Sequence, residues 1–463
     1  MTTPAMTPGL PEGGQQAVAL MREAGVTPTA ISVFAGYYRQ LVDGATGMIP
    51  EDSISPLVDL PRLADLTEQP DDRDALARTV VIRLNGGLGT SMGLAGPKTL
   101  LPVRDGRTFL DLIVEQVRWV RRRYGVRLPL LLLDSRHTQD ATLAALAAHP
   151  DLPVDGLPLD VLQSEEPKLR QDDLTPVRWP ADPRLEWCPP GHGDLFPTLW
   201  DSGVLDALLA AGFRYALAAN ADNLGCVPSA VLAGWFARSG APYAAEVTAR
   251  TPMDVKGGHL ARRRRDGRLI LRETAQTTPA DMVHFTDPAR HPFAHCNNLW
   301  FDLIALRDVL AAHDGILHLD LIRNGKTVDP TDKSSPAVWQ LECAMGAAIA
   351  VFDGAIAIEV PRGRFVPVKT TNELALLRSD VFAFGDDAVP RSSVSPLPVV
   401  TLSGDYKLID DFEALAPHPL GLRGARSLTI RGPWRLGAGV AVTGDVVLGP
   451  EGGTIEDGAD LAG

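Results

Sequence analysis

The sequence predicts an α/β protein built on a mostly parallel sheet that is covered by helices on both faces. Short apolar segments alternate with longer helical stretches from residue 79 to about residue 382, which is the pattern of strands joined by crossover helices. A glycine-rich loop follows the first of these strands. After residue 428 the pattern changes to short aliphatic steps punctuated by glycine.

The individual elements follow from local patterns of hydrophobicity. The predicted strands are residues 80–84, 130–133, 215–219 and 244–248, and the predicted helices are residues 109–123, 141–148 and 204–211. Ligands of such sheets bind beyond the carboxyl ends of the strands, so polar residues at those ends are the candidates for a site. Four consecutive arginines, Arg262–Arg265, precede Asp266-Gly267 and are typical of a solvated hairpin turn.

The chain divides by composition into five regions. Residues 1–14 are Thr/Pro/Gly-rich and predict a disordered tail. Residues 15–78 predict a helical segment with a turn at Pro50–Ser53, where the Ser53 hydroxyl is expected to cap a short helix. Residues 79–388 form the main α/β domain, and 389–427 a linker with a helix. Residues 428–463 have a period of about six, which favours a short parallel β-helix over a hairpin with glycine turns.

Composition restricts the class of protein. The 463 residues are 45% hydrophobic and 22% charged, as in ordinary globular proteins. A formal net charge of -13 argues against a nucleic-acid partner, and the apolar runs are too short to span a membrane. The four cysteines are far apart and form no C-x-x-C pair. We therefore expect reduced thiols and a cytoplasmic protein.

The segment 80–98 carries the strongest functional signal. A β-branched strand runs into Gly86, Gly87, Gly89 and Gly93, and Pro97-Lys98 closes the segment. Backbone N–H groups of such a loop can turn toward one anion, and a lysine adds a full positive charge. The order of residues fits neither a Walker loop nor a dinucleotide fingerprint. A merely flexible turn would not require the Pro-Lys pair that follows.

Two further motifs place polar residues in restrained loops. His192 lies in the segment 189–194, where prolines and glycines flank it, and it is a candidate donor to a phosphate or a sugar hydroxyl. An ordinary loop histidine is the alternative. Asn220 and Asp222 follow a predicted strand, where an aspartate is well placed to hold Mg²⁺. The alternative here is an Asx turn.

A last group of residues suits a phosphorylated sugar. Lys256 is a candidate phosphate contact, whereas Glu273, Asn297 and Asn298 can exchange hydrogen bonds with hydroxyl groups. Lys369 lies in the restrained segment 361–371. Together with Lys98 it would neutralise the charge of a triphosphate.

These motifs jointly resemble one enzyme family. The matching blocks are residues 50–54, 84–98, 105–111, 189–194, 222–225, 254–258, 297–300, 340–342 and 364–371. The chain resembles the UTP–glucose-1-phosphate uridylyltransferases (UDP-glucose pyrophosphorylases) of the eukaryotic type. The resemblance implies a Rossmann-like nucleotidyltransferase domain and a C-terminal left-handed parallel β-helix. It also implies Mg²⁺ as cofactor and conversion of UTP and glucose 1-phosphate to UDP-glucose and pyrophosphate.

The resemblance also implies roles for the residues named above. Backbone groups of Leu84, Asn85, Gly86 and Gly87 would contact the nucleotide, Gln163 and Gly191 would contact uracil, and Asp222 would bind the metal beside the nucleotide. His192, Asn220, Lys256, Glu273, Asn297 and Asn298 would bind the sugar phosphate, and Lys98 and Lys369 would be catalytic. Homo-oligomerisation stays open.

The chain also departs from the family pattern. Asp134 stands where the family often has Asn, and Ala294-His295-Cys296 replaces an aromatic-Asn-Thr sequence before Asn297. A UDP-N-acetylhexosamine pyrophosphorylase is the nearest alternative, although Ser91 stands where that family usually has Arg. A catalytically silent sugar-nucleotide sensor or assembly subunit is the alternative from another class.

Overall fold

The computed structural model describes residues 9–89, 92–94, 96–251, 254 and 257–463. Its helices are α1 Glu12–Glu23, α2 Pro28–Val42, α3 Asp72–Ala77, α4 Phe109–Tyr124, α5 Gln139–Leu146, α6 Leu195–Asp201, α7 Val204–Ala210, α8 Ala230–Ser239, α9 Met282–Phe285, α10 Leu303–Ala312, α11 Thr371–Arg378 and α12 Ile409–Leu415. In the described part of the chain, no helix is long and apolar enough to cross a membrane.

The strands make one large sheet and several small ones. They are β1 Ile54–Pro56, β2 Thr79–Leu84, β3 Pro102–Arg104, β4 Arg107–Thr108, β5 Leu130–Asp134, β6 Asp160–Leu162, β7 Glu166–Pro167, β8 Leu169–Arg170, β9 Trp187–Cys188, β10 Tyr215–Asn220, β11 Tyr243–Ala249, β12 His259–Arg263, β13 Leu269–Arg272, β14 Phe293–Asp302, β15 Ile322–Thr327, β16 Ala337–Glu342, β17 Ile356–Glu359, β18 Phe382–Phe384, β19 Pro390–Ser392, β20 Val399–Leu402, β21 Gly421–Ile430, β22 Trp434–Leu436, β23 Ala441–Leu448, β24 Gly453–Ile455 and β25 Asp460–Ala462.

The central sheet has the strand order β17-β11-β14-β10-β2-β5-β6. Neighbours run parallel except at β14, which is antiparallel to both β10 and β11. The predicted mostly parallel sheet is therefore confirmed. The four strands and three helices predicted for this region all form, with bounds within two residues of those observed.

The sheet is buried on both faces, as its nearly continuous apolar strands require. Successive residues of β2 point to opposite faces, so Val80 and Ile82 join one hydrophobic cluster and Val81 joins the other. Helix α4 begins at a capping box of Thr108 and Asp111 and ends at the left-handed Gly125, and such caps each contribute about 1 kcal/mol. The arginine-rich turn also forms as predicted, because β12 and β13 pair as an antiparallel hairpin.

The N-terminal region differs from its prediction. Residues up to 14 were expected to be a disordered tail, but α1 begins at Glu12 and Leu10 is buried. Gly13 and Gly14 are there for close packing, since a Cβ on either residue would lie 2.8 Å from Tyr38. After α2 the predicted helical segment gives way to a 3-10 turn and β1, and the Ser53 hydroxyl closes that turn by donating to the Pro50 carbonyl.

The C-terminal region consists of parallel strands. Strands β20, β21, β23 and β25 form one parallel sheet, and β22 pairs in parallel with β24. Parallel strands are already present before residue 428, since β21 begins at Gly421 and pairs with β20, which lies in the predicted linker. This module is tied to α11, where the Thr371 hydroxyl donates to the Tyr406 carbonyl at 2.7 Å.

A buried polar network joins the carboxyl ends of β2 and β5. The side-chain amide of Asn85 donates to Asp134 Oδ1 at 2.6 Å and to Thr142 Oγ1 at 2.9 Å, while Thr99 Oγ1 donates to Asn85 Oδ1 at 2.6 Å. Asp134 is fully buried, and its Oδ2 lacks a partner in the described residues. Burial raises the pKa of Asp134 to about 6, although the bonds from Asn85, Thr138 and Thr142 favour the charged form. The network fixes the glycine loop and the segment around Thr99 against β5.

We expect Asp134→Asn to change the pH dependence of stability. The folded-state pKa is raised, so the stabilisation by the protonated carboxyl is present below the ordinary value of 3.8 and is lost as the pH rises through about 6. The difference in free energy of unfolding between variant and wild type should therefore grow by up to about 3 kcal/mol between pH 4 and pH 7.5. Thermal unfolding across that range measures it.

A matched control distinguishes this effect from a general change of charge. The pKa of Asp266 is held at about 2 by its hydrogen bond with Arg263, so Asp266→Asn should change stability equally at both ends of the range. Parallel curves for Asp134→Asn and wild type would contradict the assignment. A constant offset added to a pH-dependent difference would not contradict it, since the cost of the unpartnered amide does not vary with pH.

Candidate active site

The candidate site lies at the carboxyl ends of β2 and β10. These strands pair in parallel with Leu84 opposite Asn220, so the glycine loop after β2 and the Asn220–Asn223 turn after β10 are neighbours. In α/β sheets this edge is where ligands bind. Thr90, Ser91 and Ala95 of the loop lie outside the described residues.

Two lysines that are far apart in sequence meet at one carboxylate. Lys98 Nζ lies 2.9 Å from Asp222 Oδ2, and Lys369 Nζ lies 3.5 Å from the same oxygen. Burial by itself would raise the pKa of Asp222, but the two ammonium groups outweigh it and hold that pKa below its usual value. Asp222 is therefore ionised and belongs to an ion triad. The Asx turn that was the alternative also forms, at the next residue, where Asn223 Oδ1 accepts the Gly225 N–H at 3.2 Å.

The second oxygen of Asp222 is available for a metal ion. Asp222 Oδ1 is buried, and it has no hydrogen-bond partner within the described ranges. Those same ranges contain no cluster of three or more His, Cys, Asp or Glu side chains that could hold a metal ion. A single carboxylate suits Mg²⁺, which is usually held by one or two carboxylates together with substrate phosphates and water. The residues present thus fit a divalent ion that enters with a phosphorylated ligand.

His192 is fixed in one tautomer. Gly191 has a φ of +81°, and a Cβ there would lie 2.5 Å from the Cys343 carbonyl oxygen, so glycine is required for this close approach. His192 Nδ1 accepts the backbone N–H of Met345 at 2.9 Å, which leaves the proton on Nε2. Burial and the charge of Lys369 lower the pKa of His192 to about 4. The imidazole is neutral at pH 7, and its Nε2–H group is a donor for a ligand.

Two of the segments predicted to contact the nucleotide, the glycine loop and Gln163, are brought together. Gly86 faces the side chain of Gln163, whose Nε2 would lie 2.4 Å from a Cβ at position 86. Gly86 and Leu84 are partly exposed and Gly87 is exposed, so their backbone groups are accessible to a ligand. The Asn85 side chain is committed to the buried network described above, so only its backbone is left for a nucleotide.

A β-bulge directs the side chains of Asn297 and Asn298 to different partners. The register of β11 and β14 shifts between Glu246 and Val247, and Asn297 in the bulge has a φ of +54°. Bulges re-aim side chains beside active sites. Here the Asn297 amide donates to Asn220 Oδ1 at 3.0 Å, which keeps both predicted residues together at the edge of the site.

Asn298, the other asparagine predicted to bind the sugar phosphate, faces the interior in this structure. Asn298 is fully buried. Its amide donates to Glu246 Oε2 at 3.0 Å, and its Oδ1 accepts from the amide of Asn223 at 3.1 Å. Alternation along a strand predicts opposite faces for neighbouring residues, and β14 turns Asn298 toward the interior.

The remaining predicted residues lie on the hairpin side of the site. Glu273 packs against Gly258, where a Cβ would lie 2.7 Å from Glu273 Oε2. Burial raises the pKa of Glu273, an effect that the charge of Lys369 opposes. Lys256 lies outside the described residues, so the structure gives it no position.

Sequence reasoning missed three polar residues that support the site, of which Asn223 and Glu246 are buried and Arg364 is partly buried. Asn223 bonds to the segment before Lys369, and Arg364 makes a two-bond ion pair with Glu246. A signal for Glu246 was present, because a carboxylate inside the apolar strand 243–249 requires a buried partner.

Chemically, the assembled site offers two cations, one ionised carboxylate, a neutral imidazole donor and several amides. This set suits a ligand with several phosphates and a hydroxylated sugar.

Comparison with known proteins agrees with this arrangement. The family model for UTP–glucose-1-phosphate uridylyltransferase matches residues 31–443. The chain is 36% identical over 432 residues to the UTP–glucose-1-phosphate uridylyltransferase of Solanum tuberosum, which covers 91% of this chain and 88% of that protein. It is 38% identical over 386 residues to the Saccharomyces cerevisiae protein of the same name, covering 83% and 76% of the two chains.

Solved structures extend the similarity over nearly the whole chain. A variant of UDP-glucose pyrophosphorylase from Leishmania major in complex with UDP-glucose has a TM-score of 0.92 and 40% identity, covering 98% of this chain and 99% of that one. A UDP-glucose phosphorylase from Trypanosoma brucei has a TM-score of 0.91 and 39% identity, covering 98% and 100%. This chain therefore belongs to the UTP–glucose-1-phosphate uridylyltransferase family.

Proposed function

We propose that this chain transfers the uridylyl group of UTP to glucose 1-phosphate, which forms UDP-glucose and releases pyrophosphate. The observation that carries the proposal is the convergence of Lys98 and Lys369 on Asp222 at the carboxyl edge of the sheet, in a chain that belongs to this family. The solved relative that contains UDP-glucose supports the choice of nucleotide and sugar.

The reaction requires positioned charge and no covalent intermediate. A phosphate oxygen of glucose 1-phosphate attacks the α-phosphorus of UTP in line, and the bond from that phosphorus to the bridging oxygen of the pyrophosphate breaks. The attacking oxygen is already an anion, so no general base is needed. Lys98 and Lys369 stabilise the charge that develops on the phosphate oxygens.

Mg²⁺ is the divalent ion that we propose for the site. Asp222 would hold it through the free Oδ1, and the ion would supply further neutralisation of the triphosphate. The predicted roles are otherwise assigned by position. Gln163 and Gly191 would contact the base, the backbone of Leu84 to Gly87 the nucleotide, and His192, Asn220, Glu273 and Asn297 the sugar phosphate.

We also propose how the C-terminal strands are wound and in which compartment the protein resides. We infer that the parallel C-terminal strands wind into a left-handed β-helix that begins near β20, beside an α/β domain of residues 79–388. The four cysteines are buried and free, which supports a reducing cytoplasmic compartment.

We expect the purified protein to release pyrophosphate from UTP with Mg²⁺ and to prefer glucose 1-phosphate as acceptor. Glucose, galactose and N-acetylglucosamine 1-phosphates are offered separately, and released pyrophosphate is measured. Preference for N-acetylglucosamine 1-phosphate would retain the mechanism and reassign the sugar pocket. No release with any sugar would favour a silent sugar-nucleotide subunit.

Lys369→Ala should lower kcat far more than it raises KM. A cation that stabilises mainly the transition state adds little to ground-state binding, and loss of a charged hydrogen-bonding group is expected to reduce kcat about 10²-fold to 10³-fold. Steady-state kinetics with both substrates separates the two parameters. A rise in KM at constant kcat would show that Lys369 is a uniform binding contact.

His192→Leu should lower kcat/KM by about 10-fold to 100-fold, as expected for loss of one hydrogen bond to a charged group. The shape of the profile between pH 6 and pH 8 should not change, because the pKa of His192 is about 4 and the ring does not titrate in that range. Kinetics at several pH values measure both quantities. A limb of the wild-type profile that disappears in the variant would contradict the neutral-donor role.

A further inference from the structure

Asn223 is a buried residue that holds the segment leading to Lys369. Only 1% of its surface is exposed, so it cannot touch a substrate. Its amide nitrogen donates to the Arg364 carbonyl at 3.0 Å and to Asn298 Oδ1 at 3.1 Å. Its Oδ1 accepts the backbone N–H groups of Val366 at 2.9 Å and Gly225 at 3.2 Å. All the hydrogen-bonding groups of this side chain are thereby satisfied.

The segment 364–369, which we call the strap, is held again beside the ion triad. The Val368 N–H donates to the Asp222 carbonyl at 3.3 Å, and Lys98 Nζ donates to the Val368 carbonyl. Asn223 and Pro367 also form an antiparallel bridge. The strap therefore runs alongside the turn that carries Asp222, and this places Lys369 at the triad.

A buried ion pair anchors the start of the strap. The Arg364 guanidinium makes two bonds of 2.8 Å to Glu246, through Nε and Nη2. Glu246 also accepts from Asn298 at 3.0 Å and from Trp300 at 3.0 Å. Such a two-bond pair fixes direction as well as distance. The anchor joins the strap to the same strand bulge that presents Asn297.

We propose that Asn223 is a positioning residue for uridylyl transfer, which acts by holding the strap and so placing Lys369 over the reacting phosphates. The inference rests on the proposed function. Its physical basis is that the Lys369 side chain is 57% exposed, and a mobile cation loses much of its effect on a transition state when its backbone is not fixed.

The test is a double-mutant cycle between Asn223 and Lys369. Asn223→Ala alone should lower kcat about 10-fold to 100-fold with little change in KM, which is the range for loss of a residue that orients a functional group. In the Lys369→Ala background the same substitution should change kcat by less than about 3-fold, because the group that it positions is gone. Pyrophosphate release at saturating substrates gives each rate.

Control variants separate positioning from loss of stability. Gln116 is another buried amide, and it donates to the Leu224 and Ala388 carbonyls without touching the strap. Gln116→Ala should therefore lower the melting temperature, and its effect on kcat should be the same with and without Lys369→Ala. Arg364→Lys keeps the charge but loses the two-bond fork, so it supplies a second cycle with Lys369→Ala if Asn223→Ala does not fold.

The outcomes distinguish this inference from the proposed function. An active wild type with non-additive losses for Asn223 and Lys369 supports both. An active wild type with losses that multiply overturns the positioning role and leaves the function intact. A wild type that releases no pyrophosphate overturns the function and the inference together.

Discussion

The ionised carboxylate of Asp222 is the group on which the arrangement of the site depends. It gathers two lysines from segments on either side of it in the chain, Lys98 after the glycine loop and Lys369 at the end of the strap. The protein carries a formal net charge of -13, so the cations that face a triphosphate have to be concentrated locally. Asp222 achieves this while leaving one oxygen unpartnered in the described structure.

The polar residues around this triad are buried at a cost to stability. The carboxylates of Asp134 and Glu246 are both fully buried, and a buried charge is unfavourable unless it is paired or hydrogen-bonded. Glu246 is paired with Arg364 and bonded to two further side chains, whereas one oxygen of Asp134 has no partner among the described residues. Both lie beneath loops that carry site residues. Their position indicates that burying these carboxylates lowers the stability of the fold but fixes the arrangement of the site loops at the carboxyl edge of the sheet.

The sequence predicts the strands and helices of the central domain better than the extent of the N-terminal and C-terminal regions. Apolar runs such as 80–84 and 130–133 identify strands because burial on both faces leaves no polar alternation. The glycines at positions 13 and 14 indicated disorder, yet they serve close packing against Tyr38. Contacts of that kind join distant parts of the chain, and no local pattern encodes them. The start of β21 at Gly421 was missed for the same reason, since pairing with Ala441 of β23 creates that end of the strand.

The site was predictable where chemistry follows from residue type, as with Lys98, Asp222 and Lys369. The site was not predictable where the direction of a side chain depends on the register between two strands. Asn297 and Asn298 are adjacent and identical in type, and only the shift between β11 and β14 decides which one reaches the surface. Asn223 was read as part of a turn, and its bonds to the strap appear only when residues more than a hundred positions apart are brought together.

The electrostatics of the site match a reaction without proton transfer. Enzymes that need a general base hold its pKa near the working pH, but the pKa of His192 is held at about 4, far below it. The imidazole therefore stays a neutral hydrogen-bond donor, and two lysines and one aspartate supply the charges of the ion triad. A nucleophile that is already an anion needs no base. Its transition state is stabilised most by charges whose positions and values stay fixed during the reaction. The site is built to keep those charges in place, which is why buried residues that never meet a substrate form so large a part of it.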